Sequence, residues 1–254
     1  MPRGGRKGNL RTILEKLFFI LLYFKCYPTF DLLGFLFDLN SSNACRNVKK
    51  LASILENVLD KETVLPKRRI TTIEELFDIF PEVNDIFIDG TERSIQRPKY
   101  HEKQKKNYSG KKIMHIHKNL IISDKNRRIG YLSQTVEGKR HDYRMFKDIW
   151  PPPVGKSQKN TTLWLDLGFK GIENDYPDLN VAMPKERPKE KELTNDERTK
   201  NKIISGFRVL IGHAICGIKR FRITTDRFRN RIAGFDDTVM LLSCGLWNYH
   251  FKYD

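Results

Sequence analysis

The stretch from Asn84 to Arg93, NDIFIDGTER, marks the point where the pattern of the chain changes from helix to strand. Its first part, NDIFIDG, is rich in isoleucine and phenylalanine and ends at Gly90, which predicts a strand. Four more strand-like stretches follow: KKIMHIHKNLIISD, RIGYLSQTVEG, TTLWLDLGF and LNVAMP. DYRMFKDIW, between the third and fourth strands, has the pattern of a helix. Consecutive strands followed by a strand–connection–strand unit predict a mixed α/β sheet.

The chain before this strand is helical in pattern. Residues 10–60 contain three helix-like stretches: NLRTILEKLFFILLYFK, TFDLLGFLFDL and NSSNACRNVKKLASILENVL. A tight polar turn separates the last two, and the later one opens with small polar residues, as the second helix of a helix-turn-helix does. Any helical hairpin has this outline, so a purely structural hairpin is the alternative interpretation. The candidate DNA contacts at the start of this helix are Ser41, Ser42, Asn43, Arg46 and Lys49.

Two further helices are predicted after the sheet. Thr194 and Glu197 form a capping box for the first, which runs to about Lys219. Gly212 lies in its middle, where glycine costs about 1 kcal/mol relative to alanine. DDTVMLLSCGLWNYHF predicts a last, mostly buried helix. We therefore expect three parts: a small all-α domain over 1–66, a connecting helix within 67–84, and a domain built on the sheet over 85–254.

The chain is strongly basic, with a formal net charge of +16. Residues 93–128 contain 12 Lys and Arg against 2 acids, and residues 198–231 contain 10 against 1. Two such blocks favour a polyanionic partner, above all nucleic acid, over an ordinary solvated surface. The candidate phosphate contacts within them are Arg93, Arg97, Lys111, Lys112, Lys219, Arg220 and Arg222.

Cysteine usage and hydropathy favour a cytosolic protein. None of the four cysteines belongs to a CxxC pair, and we interpret them as reduced core residues, two of them in helical apolar settings. The apolar run LFFILLYF has eight residues and is followed by Lys25, which is too short to span a bilayer. We therefore expect no membrane partner.

Two aspartates share an unusual position. Asp89 ends the strand in FIDG, and Asp166 ends another in LWLDLGF. Carboxylates at strand ends of a DNA-binding chain suggest a divalent-metal site, since Mg²⁺ prefers one or two carboxylates together with phosphate oxygens and water. The alternative is that each aspartate only forms a turn or caps a helix. His115 and His117 share one face of a strand, but no third metal ligand accompanies them, which favours a surface or DNA-facing role.

Several motifs resemble those of a known family. They are YFKCYPTFDLLGFLF, DGTERSIQRPK, YSGKK, KNLIISD, LDLGFKGIENDYP, MPKERPKEKELT, HAICGIKRFRI and AGFDDTVMLLSCGLWN. In this order, from about residue 15 to 250, they resemble the DDE transposases of bacterial insertion sequences, specifically the insertion-sequence-five family.

The resemblance implies a fold, a chemistry and partners. The fold is a ribonuclease-H-like mixed sheet flanked by helices, behind the helix-turn-helix domain. The activity is metal-dependent cutting and joining of double-stranded DNA at element ends, with two Mg²⁺ or Mn²⁺ ions held by two Asp and one Glu. Asp89 and Asp166 match the two Asp. The resemblance also implies a homo-oligomer on DNA in the bacterial cytosol, and a structural or substrate-positioning role for His141 and Asp142.

The third acid of this family is missing here. It normally lies in a helix motif similar to RVxxEHAIxGIKR, and this chain has RVLIGHAICGIKR, which places Gly212 at that position. Arg208, four residues earlier, shares its helix face. His213, Glu92 and Asp226 are weaker substitutes. We therefore expect an intact fold with a crippled catalytic site. Two alternatives stay open: a DNA-binding protein without catalysis that occupies element ends or modulates an active transposase, and an RNA-binding or structural protein.

Overall fold

The chain combines an N-terminal helical region with a mixed sheet that has helices on both faces, which confirms the predicted α/β architecture. The computed structural model describes residues 9–80, 84–152, 161–188 and 192–253. Residues 1–8 and 254 of the predicted domains and residues 81–83 of the predicted connecting segment lie outside the described residues.

Side-chain caps define where the N-terminal helices begin. The Thr12 hydroxyl accepts a hydrogen bond from the Glu15 backbone, and the Glu15 carboxylate accepts one in return, so the first helix begins with a capping box. Thr29 and Asn40 cap the next two helices. The helices are α1 (Ile13–Cys26), α2 (Phe30–Leu36), α3 (Ser41–Lys61) and, after a loop, α4 (Ile73–Ile79).

The turn between α2 and α3 is tight because of one glycine. A Cβ on Gly34 would lie 2.4 Å from the carbonyl oxygen of Leu39, so only glycine permits this close approach. The two helices therefore meet as a helix-turn-helix. The buried face of α3 carries Ala44, Val48, Leu51, Ala52, Leu55 and Leu59.

In the part of the chain that the structure describes, the sheet has seven strands, and a long antiparallel pair forms its centre. The strands are β1 (Asp85–Ser94), β2 (Tyr108–Ser109), β3 (Met114–Asp124), β4 (Ile129–Leu132), β5 (Val136–Glu137), β6 (Thr162–Trp164) and β7 (Asn180–Ala182). Their order is β2-β3-β1-β6-β7, with β4 and β5 also paired to β3. β1 is antiparallel to β3 and parallel to β6, which in turn is parallel to β7. The sheet is therefore mixed.

The predicted third strand, RIGYLSQTVEG, differs from the structure, which has two short strands there. The ladder with β3 breaks between β4 and β5, where the Ser133 hydroxyl accepts the hydrogen bond of the Leu120 backbone N–H. The Asn119 side chain also donates to the Ser133 carbonyl oxygen. These side-chain hydrogen bonds compete with the regular ladder, which periodicity cannot show.

Helices cover both faces of the sheet. The remaining helices are α5 (His101–Asn107), α6 (Asp142–Ile149), α7 (Ile172–Asp175), α8 (Asn195–Lys219) and α9 (Phe235–Tyr253). Ile86 and Ile88 of β1 point towards a core shared with α4 and α6, whereas Phe87 between them packs in a core with α8 and α9. Successive strand residues alternate in this way, so Asp89 lies on the α8 side.

The N-terminal helices share their core with the end of the chain. Phe19, Phe24 and Leu55 are buried in one cluster together with Val239 and Leu242 of α9. α9 therefore joins the two parts of the molecule, because its other side packs on the sheet through Met240 and Trp247, among others.

Candidate active site

The two aspartates predicted to act together lie on neighbouring strands of the sheet. The sequence predicted that Asp89 ends its strand, but β1 continues beyond it, so Asp89 lies in the middle of β1, whereas Asp166 follows the last residue of β6. In the parallel ladder of β1 and β6, Phe87 is the partner of Trp164, and two residues further along the chain from each lie Asp89 and Asp166. Asp166 also starts a single 3₁₀ turn, since its Oδ1 accepts a hydrogen bond of 2.6 Å from the Gly168 backbone. The fold thus brings together two carboxylates that are 77 residues apart in the sequence.

Burial and mutual repulsion disfavour the charged form of this pair. Burial and, to a lesser extent, the negative charge of Asp166 together raise the pKa of Asp89 to about 6, against the opposing hydrogen bond from the Gly90 N–H. A carboxylate pair of this kind is relieved by a cation between its oxygens. The donor set of Asp89 and Asp166 therefore suits one divalent cation.

α8 places Gly212 close to this pair. The Phe207 ring stacks on Trp164 at 4.3 Å, and Arg208 Nη2 lies 3.7 Å from Asp166 Oδ2. Gly212 is one helical turn beyond Arg208 on the same face. A Cβ at Gly212 would meet no atom within 4 Å, so a side chain can leave the helix there without displacing a neighbour at its first carbon.

Asp142 is a third carboxylate close to the pair, which the sequence indicated only as a structural or substrate-positioning residue. It is the first residue of α6, and its Oδ1 would lie 2.6 Å from a Cβ placed on Gly90. Burial raises the pKa of Asp142, and the ammonium of Lys118, 3.4 Å away, opposes that rise. Glycine at position 90 therefore leaves room for the Asp142 carboxylate. The sequence signal for this contact was the glycine that directly follows Asp89.

A metal site with three protein ligands does not form within the described residues. His117 Nδ1 lies 2.6 Å from Asp236 Oδ2, so this imidazole is engaged with a carboxylate and not in a metal site with His115. Glu92 pairs with Lys118 at 3.1 Å, and Asp226 with Arg222 at 3.4 Å. His213 is exposed on α8, next in sequence to Gly212. Asp89 and Asp166 are the residues placed to hold an ion.

The candidate DNA contacts of α3 lie on one exposed face. Ser42, Arg46 and Lys49 are exposed and spaced by four and three residues, which aligns them along the helix. Asn43 is half-buried, and its Oδ1 accepts a hydrogen bond of 3.0 Å from Arg46. Ser41 is half-buried as the first residue of the helix.

The structure corrects the interpretation of Arg93 as a phosphate contact. Its side chain is only 2% exposed and lies 3.8 Å from Asp236. Burial lowers the pKa of Arg93 to about 10, against the opposing effect of the Asp236 charge. The residue sits inside the junction between the sheet and α9, where it is out of reach of DNA. The burial of Arg93 cannot be seen from strand periodicity alone. Arginine is rarely buried without a charge partner, and the partner of Arg93 is distant in the sequence.

The other predicted phosphate contacts are exposed but fall into two groups. Arg97, Lys111 and Lys112 are exposed around the start of β3. Lys219, Arg220 and Arg222 are exposed at the end of α8 and in the turn after it. Lys219 is 11 residues from Arg208, which is about 16 Å along a helix at 1.5 Å per residue, so this second group is remote from the aspartates.

A helix-turn-helix in front of a mixed sheet whose neighbouring strands bring two aspartates together is the arrangement of a DNA-cutting protein. Comparison with known proteins agrees: residues 88–248 match the DDE superfamily endonuclease family, and residues 8–61 match the helix-turn-helix of DDE superfamily endonucleases. The chain belongs to the DDE superfamily endonucleases, which depend on divalent metal ions.

The similarity extends to a transposase. Over 248 residues, the chain is 29% identical to a protein described as a probable transposase for insertion sequence element IS702 of Microchaete diplosiphon. The match covers 97% of this chain and 83% of that relative. No solved structure matches the chain. None of the described helices is long and apolar enough to cross a membrane.

Proposed function

We propose that this protein is a transposase-family protein of the insertion-sequence-five group that binds element DNA and whose cleavage site is crippled at position 212. The observation that supports this proposal is the open space at Gly212. Gly212 lies one helical turn from Arg208, and Arg208 contacts Asp166. The space around the Cβ position admits the start of a glutamate side chain, whereas glycine offers no carboxylate. Loss of one catalytic electrostatic group reduces rates by about 10²–10³-fold.

Asp89 and Asp166 would hold the divalent cation, Mg²⁺ or Mn²⁺, and an intact family member would use two. When bound, the ion supplies positive charge that stabilises the oxygen anion formed as a phosphodiester bond is cut. The second ion lacks a ligand here. Arg208 lies beside Asp166 without a glutamate to pair with, and its positive charge competes with a cation for that carboxylate.

DNA binding in this proposal begins at the helix-turn-helix. The exposed face formed by Ser42, Arg46 and Lys49 would lie in the major groove, with Ser41 and Asn43 near the phosphates. The proposed domain boundaries remain 1–66, 67–84 and 85–254. The protein would act in the bacterial cytosol.

A homo-oligomer on DNA is part of the proposal. α1 and α2 expose large apolar side chains, among them Ile13 and Phe35, each 82% exposed. An exposed apolar patch of this kind is typical of a protein–protein contact.

A second candidate function is DNA binding without catalysis. Gly212 favours it, because the helix-turn-helix is complete while the acid set is not. Such a protein would occupy element ends and modulate an active relative.

A binding and cleavage experiment separates these functions. The ligand is a duplex carrying the inverted repeat that flanks the gene, with scrambled duplex as the control. Sequence-specific binding that weakens in Arg46→Gln supports both functions. Slow cleavage in Mn²⁺ that disappears in Asp89→Ala supports the transposase site, and specific binding with no cleavage supports the second candidate. Equal binding of both duplexes would reject element recognition.

A further inference from the structure

A basic groove adjoins the candidate active site. It encloses about 1070 Å³ between α5, the start of β3 and the start of α6, and its lining includes Asp166 and Gly168. The groove therefore reaches Asp166, one member of the aspartate pair. A nucleic-acid strand lying in the groove would reach that carboxylate directly.

Each of the three acids that line this groove lies beside a cation, and two of the acids share one lysine. Lys118 lies between Glu92 and Asp142, at 3.1 Å and 3.4 Å. Asp166 is 3.7 Å from Arg208. The lining also contains four further cationic side chains, which are exposed: Arg97, Lys105, Lys111 and Lys139. This excess of positive charge fits a phosphate backbone.

An aromatic side chain lines the same groove. Tyr108 is 42% exposed and lies opposite His115 in the β2–β3 ladder, with their rings in edge contact at 5.5 Å. The ladder fixes the ring in place, so it loses little freedom when a base stacks on it. Cationic grooves with exposed aromatic rings are typical of single-strand binding, because only unpaired bases offer a free ring face.

We propose that this groove binds single-stranded DNA, with a base stacked on Tyr108 and phosphates bound by Arg97, Lys105, Lys111 and Lys139. The strand leads to Asp166, so the groove holds unpaired DNA next to the cleavage site. This proposal rests on the proposed function, since it assumes that DNA is the substrate of the aspartate pair. It adds that the DNA bound in this groove is single-stranded.

The test uses the full chain in EDTA with a fluorescent twelve-residue oligothymidine and, separately, a duplex of the inverted repeat. Fluorescence anisotropy gives both dissociation constants. Tyr108→Ala should weaken single-strand binding by about 5–150-fold, while Tyr108→Phe keeps the ring face and the affinity. Tyr249→Ala is the matched control, since Tyr249 is 41% exposed on α9 and should not affect binding.

The contribution of positive charge to single-strand binding is tested by a second variant with its own control. Lys111→Gln should lower the slope of log affinity against log salt by about 0.7 for a single strand. Lys125→Gln is the control, because this exposed lysine follows the far end of β3. Circular dichroism melting verifies that each variant is folded.

The outcomes distinguish this proposal from the failure of the proposed function. Loss of single-strand affinity in Tyr108→Ala, with duplex affinity retained, supports the groove. Unchanged single-strand affinity in folded Tyr108→Ala overturns it, and so does an equal loss on both ligands. Absence of specific duplex binding by the parent protein would instead reject element recognition, whatever the single strand does.

Discussion

Replacement of Asp89 by asparagine should stabilise the protein at neutral pH. Burial and the charge of Asp166 raise the pKa of Asp89 from 3.8 to about 6 in the folded chain. One pKa unit corresponds to about 1.36 kcal/mol, so the charged carboxylate costs the folded state up to about 3 kcal/mol. Asparagine has nearly the same shape, carries no charge and can still accept the Gly90 hydrogen bond.

The contribution of Asp89 to the stability of the folded chain depends on pH. Below pH 3.8 the carboxyl group is protonated in both folded and unfolded chains, so it costs nothing. As the pH rises towards about 6, the unfolded chain ionises first and stability falls. Above that pH the full cost remains. The advantage of Asp89→Asn should therefore be small near pH 4 and greatest at pH 7.5.

The assay is thermal unfolding in EDTA at both pH values. For a chain of this size, about 1 kcal/mol shifts the Tm by about 2–4 °C, so Asp89→Asn should gain up to about 6–12 °C at pH 7.5. Added Mg²⁺ should narrow the gap, because it stabilises only the folded protein that retains the carboxylate pair. The exposed Asp178→Asn variant is the control. An equal Tm for Asp89→Asn and the parent at pH 7.5, or a larger gain at pH 4, would show that the charged Asp89 carboxylate does not destabilise the folded chain.

Three more substitutions test the local structure. Gly212→Ala should stabilise α8 by up to about 1 kcal/mol in urea unfolding, whereas Gly217→Ala should destabilise it by about 1–3 kcal/mol, because its Cβ would lie 2.1 Å from a tryptophan ring atom; equal effects would contradict the packing. Asp236→Ala should cost about 3–5 kcal/mol in the same assay, since it leaves the buried Arg93 without its closest carboxylate, and a cost below 1 kcal/mol would argue against it. Arg46→Gln should lower the salt slope of duplex binding by about 0.9 in filter binding, and an unchanged slope would remove this residue from the phosphate contacts.

Local patterns were enough to predict most of the helices, although the short helices α5 and α7 were not predicted. The capping box of Thr194 and Glu197 and the helix ending at Lys219 are confirmed, because capping depends on residues close together in the chain. The division of the third strand into β4 and β5 was not predicted. It depends on hydrogen bonds between Asn119, Leu120 and Ser133, which become neighbours only when the strands pair.

The candidate site was predictable only in part. Parallel pairing of β1 and β6 brings Asp89 and Asp166 together, as their motif context suggested, although Asp89 lies within its strand and not at the predicted end. Asp142 and Arg208 come from helices on opposite faces of the sheet, so no spacing in the sequence places them beside the pair. Arg93 was misassigned, because its carboxylate partner Asp236 is 143 residues away and only the folded chain shows the pairing.

The most direct test of the account is the rate of strand cleavage by Gly212→Glu. The substrate is the duplex element end under single-turnover conditions with Mg²⁺, and Gly212→Gln controls for side-chain size without the charge. Gly212→Glu should cut at least about 10²-fold faster than the parent, Gly212→Gln should not, and adding Asp89→Ala to Gly212→Glu should abolish the gain. A parent that cuts as fast as Gly212→Glu, or a folded, DNA-bound Gly212→Glu that stays inactive, would contradict the claim that the missing carboxylate cripples this site.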